Sequence, residues 1–253
     1  MSATGVVAAL AFEARSLGTR QRAAAGLASL TDGSLVSVCG MGGENAARAA
    51  RRLVAAGAGA LLSWGVAGGL DPELTCGTVV LPVEVVHGSE VLPASSARRF
   101  ATCRTWRERL GAALQAHARL TAGALLSSPV PVAAAGLKAR LFQETRAVAV
   151  DMESAAVAEV AADHGLPFVA LRVILDTARD SLPESILRAF APAALGSSRA
   201  RRAWPLLRLL RHAPADFGPL LRLAGQYRIA RRTLSDCARR AEPTRLMARA
   251  GGG

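Results

Sequence analysis

The chain has 253 residues, 51% hydrophobic and 20% charged, which is enough apolar material for one large core and excludes a collagen-like or compositionally disordered protein. Its ten aromatics, six Phe, three Trp and one Tyr, leave little for the base-stacking platforms of single-strand nucleic-acid binders. Charge divides the chain: residues 1–194 carry 18 basic and 16 acidic side chains, net +2, whereas residues 195–253 carry 13 Arg and 3 acids, net +10, so a globular domain over 1–194 is followed by an Arg-rich extension over 195–253.

In chain order, the apolar run Gly5–Leu10 predicts a first strand, with no basic segment before it of the kind a secretory signal carries. A second strand is expected over Leu35–Cys39. Ala46, Ala49, Ala50, Leu53 and Val54 recur at helical spacing and predict a helix over Glu44–Ala56. Leu53–Leu70 lacks charge for eighteen residues but holds five Gly, so a helix end followed by a buried strand over Ala60–Trp64 is expected rather than a membrane span. Further strands are expected at Gly77–Pro82, Ala147–Val150 and Pro167–Leu175, and helices at Trp106–Leu120, Gly136–Glu144 and Ser154–His164. Strand, glycine turn, helix and strand in succession imply an α/β fold with helices crossing between strands of one sheet. From Pro192 the pattern becomes helical, broken at Pro205, Pro214 and Pro219. Leu220, Leu223, Tyr227, Ala230 and Leu234 then make an apolar stripe flanked by Arg222, Arg228, Arg231 and Arg232, a basic amphipathic helix that either packs on the domain or meets an anionic surface. The last residues, 248–253, are expected to fray. Cys39, Cys76, Cys103 and Cys237 form no CxxC pair, which points to a reducing cytosol and away from zinc or a disulfide framework.

Ligands of open α/β sheets bind where strands end, and the acids of this chain recur there. The first strand leads into Glu13, the second into Gly40-Met41-Gly42-Gly43, the third into Gly65-Val66-Ala67-Gly68-Gly69, and later strands into Asp151-Met152-Glu153 and Asp176. Each has a structural alternative. Glu13 and Glu153 suit the first turn of a helix, Asp176 suits a cap ahead of Thr177, and the glycines suit tight turns. The Gly40–Gly43 cluster is followed by no Gly-Lys-Ser/Thr and is not a Walker loop.

Taken in order, Val6–Glu13, Gly40–Gly43, Gly65-Val-Ala-Gly-Gly-Leu-Asp-Pro, Gly77-Thr-Val-Val-Leu-Pro, Ala147-Val-Ala-Val-Asp-Met-Glu-Ser-Ala-Ala and Leu171-Arg-Val-Ile-Leu-Asp closely resemble the nucleoside phosphorylase and methylthioadenosine/S-adenosylhomocysteine nucleosidase superfamily. The resemblance covers about residues 5–185. Within that group the Asp-Met-Glu-Ser block, the Asp176–Pro183 turn and the Leu/Arg-rich tail are most similar to the hopanoid-biosynthesis-associated phosphorylases.

The resemblance implies a three-layer α/β/α sandwich around a central mixed sheet, with the basic helical segment added at the C-terminus. It also implies cleavage of the N-glycosidic bond of a 5′-substituted adenosine, adenosylhopane above all, with release of adenine and a ribosyl or phosphoribosyl lipid. Asp176 matches the acid that protonates the purine, Glu13 the carboxylate that activates water, and Glu153 the acceptor of the ribose hydroxyls. Met152 matches the residue beside the sugar, and Val66, Ala67 and Gly68 the stretch lining the base and anion region. Water and phosphate both stay open as nucleophile. Ser63 and Val66 stand where hexameric phosphorylases have Arg and Ser, which favours water, while backbone N–H groups of Gly42 and Gly43 are candidate anion donors. No metal or organic cofactor is implied, and phosphate is the one co-substrate in question. The resemblance further implies a homo-oligomer, a cytoplasmic protein peripheral to the inner membrane face through its basic tail, and a 5′ pocket built from loops such as His87–Ser96. Two other readings stand: a methylthioadenosine/S-adenosylhomocysteine nucleosidase acting on soluble substrates, and a non-catalytic module whose tail binds nucleic acid, the last disfavoured by the scarcity of aromatics.

Overall fold

The computed structural model describes residues 3–19, 21–22, 26–88, 97–182 and 217–244. The expected helix breaks at Pro205 and Pro214, the frayed 248–253 and most of the His87–Ser96 loop lie outside them.

Among the described residues twelve strands form one mixed sheet. In chain order they are β1 (Ala3–Ala8), β2 (Gln21–Arg22), β3 (Leu27–Ser29), β4 (Leu35–Val38), β5 (Ala58–Gly69), β6 (Val79–Val80), β7 (Glu84–His87), β8 (Arg99–Ala101), β9 (Leu120–Thr121), β10 (Ala124–Ser127), β11 (Ala147–Asp151) and β12 (Phe168–Asp176). The helices among the described residues are α1 (Ala11–Ser16), α2 (Gly43–Ala55), α3 (Arg104–Leu114), α4 (Ala135–Thr145), α5 (Ser154–Asp163) and α6 (Phe217–Ala241). Sheet order is β2-β3-β4-β1-β5-β11-β10-β7-β8, with β12 also on β5 and continuing to β6 and β9.

Alternation along the strands builds the layers. Val7, Leu61 and Ala170 point to the face covered by the alanine-rich stripes of α2 and α5. Val6, Ala8, Leu62 and Leu171 point to the opposite face, covered by Ala14 of α1, Trp106 and Leu110 of α3, and Ala230, Leu234 and Cys237 of α6. A third cluster joins Leu141 and Phe142 of α4 to Leu70, Val86 and Leu126. The result is the expected α/β/α sandwich, and the C-terminal helix is part of its second layer. Pro219 does not break that helix, which runs through it from Phe217 to Ala241. No helix among the described residues is long and apolar enough to cross a membrane. The four cysteines are unpaired.

The largest departure from expectation is β5. The strand expected over Ala60–Trp64 runs for twelve residues and takes in Gly65–Gly69, for which a tight turn was the alternative. β5 pairs in parallel with β1 as far as Val7–Ser63, and on the same path pairs antiparallel with β11 only at Gly68–Val150 and Gly69–Ala149. Its other edge is paired in parallel with β12 from Leu61 to Gly68. The sheet therefore forks at Trp64–Ala67, where β5 has left β1 and has not yet met β11. Backbone donors in such a gap need another partner.

Candidate active site

A cavity of about 590 Å³ opens at this fork, a volume in the range of small-molecule sites. Glu13, Val66, Ala67, Gly68, Met152, Glu153 and Asp176 all line it, so residues from the beginning, middle and later part of the domain converge on one space.

Glu13 sits in the first turn of α1, as its alternative reading allowed, but it is buried rather than exposed. Its Oε1 accepts the Val66 N–H at 2.9 Å, filling the gap in the sheet, and its Oε2 accepts the Leu10 N–H at 2.8 Å. Burial pushes the carboxyl above its ordinary range, against Arg172 and these N–H donors.

Asp151, Met152 and Glu153 turn from β11 into α5. Asp151 Oδ1 accepts from Ser127 Oγ at 2.7 Å and from the Glu153 and Ser154 N–H groups at 3.3 and 3.2 Å. This satisfies donors at the start of the helix and holds the turn rigid. Glu153 then reaches across to α2, where its Oε1 accepts the Gly42 N–H at 2.7 Å. Gly42 and Gly43 do not line the cavity, and the Gly42 N–H is committed to Glu153, so the anion-donor role read from the glycine cluster gives way to one of anchoring Glu153.

Burial pushes Glu153 up to about 7, with the Asp151 charge adding and Arg172 and the Gly42 N–H opposing. Its folded value exceeds the ordinary 4.5, so between those pH values the folded state binds more protons than the unfolded one. Stability is therefore lost as pH rises through that window, at up to about 1.4 kcal/mol per pH unit for one proton. Urea unfolding across the window should show this decline, and Glu153→Gln should make it shallower, leaving the share of Glu13 and Asp176, whose pKa values are also raised.

Two buried cations complete the site, and neither was singled out in the sequence. Arg172 of β12 is fully buried and pairs with Asp151 through Nε at 2.8 Å, while its Nη2 donates to Ser63 Oγ at 2.7 Å and Ser154 Oγ at 3.1 Å. It faces Glu13 and Glu153 electrostatically as well. Lys138 of α4 is also fully buried and forms an ion pair with Asp176 Oδ2. Asp176 follows an irregularity in the β12 register between Ile174 and Asp176, a device that re-aims a side chain at a strand end. Arg172 had a sequence signal, a lone charge inside the apolar run Phe168–Leu175, since such a charge needs buried partners. Lys138 had none, because one basic residue on a helix usually faces water.

The remaining wall is apolar. Phe12 meets Tyr227 of α6 edge-on, ring centroids 4.8 Å apart, and Val132, Leu182 and Leu223 continue the surface. Among the described lining residues Arg15 is the only cation, against four carboxyl groups, Glu13, Asp151, Glu153 and Asp176. No cluster of three or more His, Cys, Asp or Glu among the described residues is placed to hold a metal ion.

The Phosphorylase superfamily matches residues 23–201, a span that includes β3–β12 and the acids at the ends of β11 and β12. The chain belongs to this superfamily. Its relatives include the 5′-methylthioadenosine/S-adenosylhomocysteine nucleosidase of Marinomonas sp. (strain MWYL1), 33% identical over 155 residues, which cover 54% of this chain and 65% of that one. The nucleosidase of the same name from Treponema pallidum (strain Nichols) is 32% identical over 179 residues, 57% of this chain and 66% of that one. The chain thus spans slightly under two thirds of the length of these superfamily relatives. In fold it is similar to the Neisseria meningitidis 5′-methylthioadenosine/S-adenosylhomocysteine nucleosidase bound to methylthio-immucillin-A, with a TM-score of 0.64 at 21% identity over 94% of this chain and 98% of that one. The Helicobacter pylori nucleosidase with butyl-thio-DADMe-Immucillin-A gives 0.65 at 18% identity over 94% and 97%.

Proposed function

We propose that this protein hydrolyses the N-glycosidic bond of a 5′-substituted adenosine, releasing adenine. The observation that carries the reading is the convergence of Glu13, Glu153 and Asp176 on one cavity at the fork of the sheet. Glycosidic cleavage leaves positive charge at the anomeric carbon and negative charge on the departing purine. In this reading Asp176 gives its proton to N7 of the purine, and Glu153 holds the ribose hydroxyls with Met152 against the sugar. Glu13 takes a proton from the water that attacks C1′. Val66, Ala67 and Gly68 lie beside the base. Side chains supply every proton movement, so the reaction runs without metal or organic cofactor.

Water is favoured over phosphate by charge. Among the described residues the lining offers a phosphate dianion one cation, Arg15, while the buried Arg172 and Lys138 behind it are already committed to Asp151 and Asp176. Ser63 is buried with its hydroxyl held by Arg172 and Ser154, and the Val66 N–H is held by Glu13, so neither position offers a donor in the way a phosphorylase needs.

The 5′ substituent is proposed to be a bulky hydrocarbon, adenosylhopane being the substrate suggested by the sequence resemblance. The apolar wall of Phe12, Val132, Leu182, Leu223 and Tyr227 suits it. The same helix α6 exposes Arg222, Arg228, Arg231 and Arg232 together with Leu221 and Ile229, a surface suited to anionic headgroups, with each Arg contributing roughly 1 kcal/mol there. Membrane attachment is tested by substituting these arginines and not by deleting the helix, because α6 also walls the cavity and fills the core.

One experiment separates the readings. The full chain is incubated with methylthioadenosine and with a 5′-alkyl adenosine in anionic or zwitterionic vesicles, each with and without phosphate. Free adenine and free ribosyl product, unchanged by phosphate, are expected, with the alkyl substrate in anionic vesicles turned over fastest. A phosphorylated sugar product would make the protein a phosphorylase. Preference for soluble methylthioadenosine would make it a nucleosidase of small substrates, and no adenine from either would remove the enzymatic reading.

A further inference from the structure

Lys138 projects from α4 into the turn that follows β12. Its ammonium group donates to three acceptors of that turn: Asp176 Oδ2, the Thr177 carbonyl at 2.8 Å and the Asp180 carbonyl at 2.9 Å. These use all three of its N–H bonds in a site with no exposure to water. A fully buried lysine is costly unless it is paired and hydrogen-bonded throughout, and all its partners here belong to the segment that carries the acid. The same turn is fixed from the other side. Asp180 Oδ2 accepts the Thr177 N–H at 2.8 Å, its hydroxyl at 2.7 Å, and Gln226 Nε2 of α6 at 2.8 Å. Lys138 thus grips Oδ2 of Asp176 and leaves Oδ1 as the oxygen for a ligand in the cavity.

We propose that Lys138 is a positioning residue that makes Asp176 an effective proton donor, by aiming its Oδ1 at the leaving base and by neutralising the carboxylate that forms when the proton leaves. This deepens the hydrolase reading and rests on it for its kinetic consequences. In the step concerned, the C1′–N9 electron pair goes to the purine, the proton on Asp176 Oδ1 moves to N7, and Asp176 becomes a carboxylate beside the Lys138 ammonium. Without that cation the new charge would form in a buried, unpaired site. The Lys138 bond to Oδ2 is compatible with both forms of the acid, since Oδ2 accepts whether or not Oδ1 carries a proton.

Other groups around Asp176 act in the opposite sense. Burial raises its pKa most, Lys138 lowers it, and Asp180 raises it. Cys76, in the segment after β5, is itself pushed up to about 11 by burial and by the charges of Asp176 and Asp180. Glu13, Asp151 and Glu153 line the same cavity and Gln226 contributes a neutral amide. Among the described residues Lys138 is the cation whose charge opposes burial and Asp180 at Asp176, and its loss has a definite sign: the pKa of Asp176 rises.

The test compares Lys138→Met, Lys138→Gln and Lys138→Arg with the unsubstituted protein. An opposite charge at contact distance shifts a carboxyl by about 1–3 units. The alkaline limb of kcat/KM for adenine release, which reports loss of the proton on Asp176, should therefore move up by about that much in Lys138→Met and Lys138→Gln. Their kcat below the limb should fall on the order of 10-fold or more, with KM little changed, and Lys138→Arg should recover part of both. A 4-nitrophenyl riboside, whose leaving group departs without a proton, should be cleaved at nearly unchanged rate. Carboxyl 13C titration of Asp176, assigned by its absence in Asp176→Asn, gives the same shift without any turnover, so it stands even if the protein releases no adenine. An unmoved limb and an unmoved carboxyl titration in Lys138→Gln would overturn the proposal, as would equal losses on both substrates. Should Lys138→Met fail to fold, the Gln and Arg variants carry the comparison.

Discussion

Replacing Asp176 by Asn is expected to lower kcat/KM for adenine release by roughly 10²–10⁴-fold, the contribution of a positioned general acid. The amide keeps the shape and an oxygen acceptor for Lys138 but has no acidic proton to give. The loss should depend on the leaving group. A 4-nitrophenyl riboside needs no proton on departure, so its cleavage should fall by less than about 10-fold, and equal losses on the two substrates would show that Asp176 has some role other than acid. A second effect accompanies the first. Lys138 is fully buried against Asp176, and at pH values where Asp176 has lost its proton the amide leaves that cation without a counter-charge. Breaking one side of a buried pair costs about 3–5 kcal/mol, and a chain of this size loses roughly 2–4 °C of Tm for each kcal/mol. Rates must be measured well below the lowered Tm, where thermal unfolding cannot mimic the loss of the acid. The two effects separate cleanly in Asp176→Asn combined with Lys138→Met: the double variant should regain much of the lost stability, because no unpaired charge remains, and none of the activity.

Much of the framework was legible because its signals are local. Alanines at helical spacing fixed α2 within one residue at each end, and the apolar run before Asp176 fixed β12. The acids at strand ends were legible for the same reason, since a short apolar run ending in a carboxylate is visible in any window. What was not legible is pairing over distance. The strand pairs around Arg99–Ala101 and Leu120–Ser127 are too short or too evenly polar to announce themselves. The Trp106 helix ends at Leu114 rather than Leu120, because Arg119–Thr121 is drawn off to bond β6: the Arg119 carbonyl accepts from Val79 and that of Thr121 from Leu81. The glycines at Gly65–Gly69 suit tight turns when taken alone. Their use here is space. Arg172 and Lys138, the two cations that neutralise the site, are separated in sequence from Asp151 and Asp176 by 21 and 38 residues, and only the packing of α4 and β12 brings each to its acid.

Gly65→Ala should be among the most damaging single-methyl additions in the chain. Gly65 lies inside β5 and has no unusual backbone angle, so alanine is acceptable to the main chain and the harm comes from volume alone. A Cβ built there would stand 2.5 Å from Arg172 Nη1 and 2.6 Å from Glu13 Cδ, with Glu13 Oε1 nearer still. Neither neighbour can yield. Glu13 is held by the Leu10 and Val66 N–H groups, and Arg172 by Asp151, Ser63 and Ser154. Overpacking costs about 1–3 kcal/mol, and displacing either charge from its buried partners adds about 3–5 kcal/mol. A Tm lowered by on the order of 10 °C and near-complete loss of turnover are expected. Gly136→Ala is the control, because nothing lies within 4 Å of its Cβ and it sits in helix α4. It should be neutral or stabilising by up to about 1 kcal/mol. The cause is isolated by a double-mutant cycle with Glu13→Ala, which removes the carboxyl but leaves Arg172 in place. Gly65→Ala should cost at least about 1 kcal/mol less in that background. An unchanged cost would assign the damage to Arg172 alone.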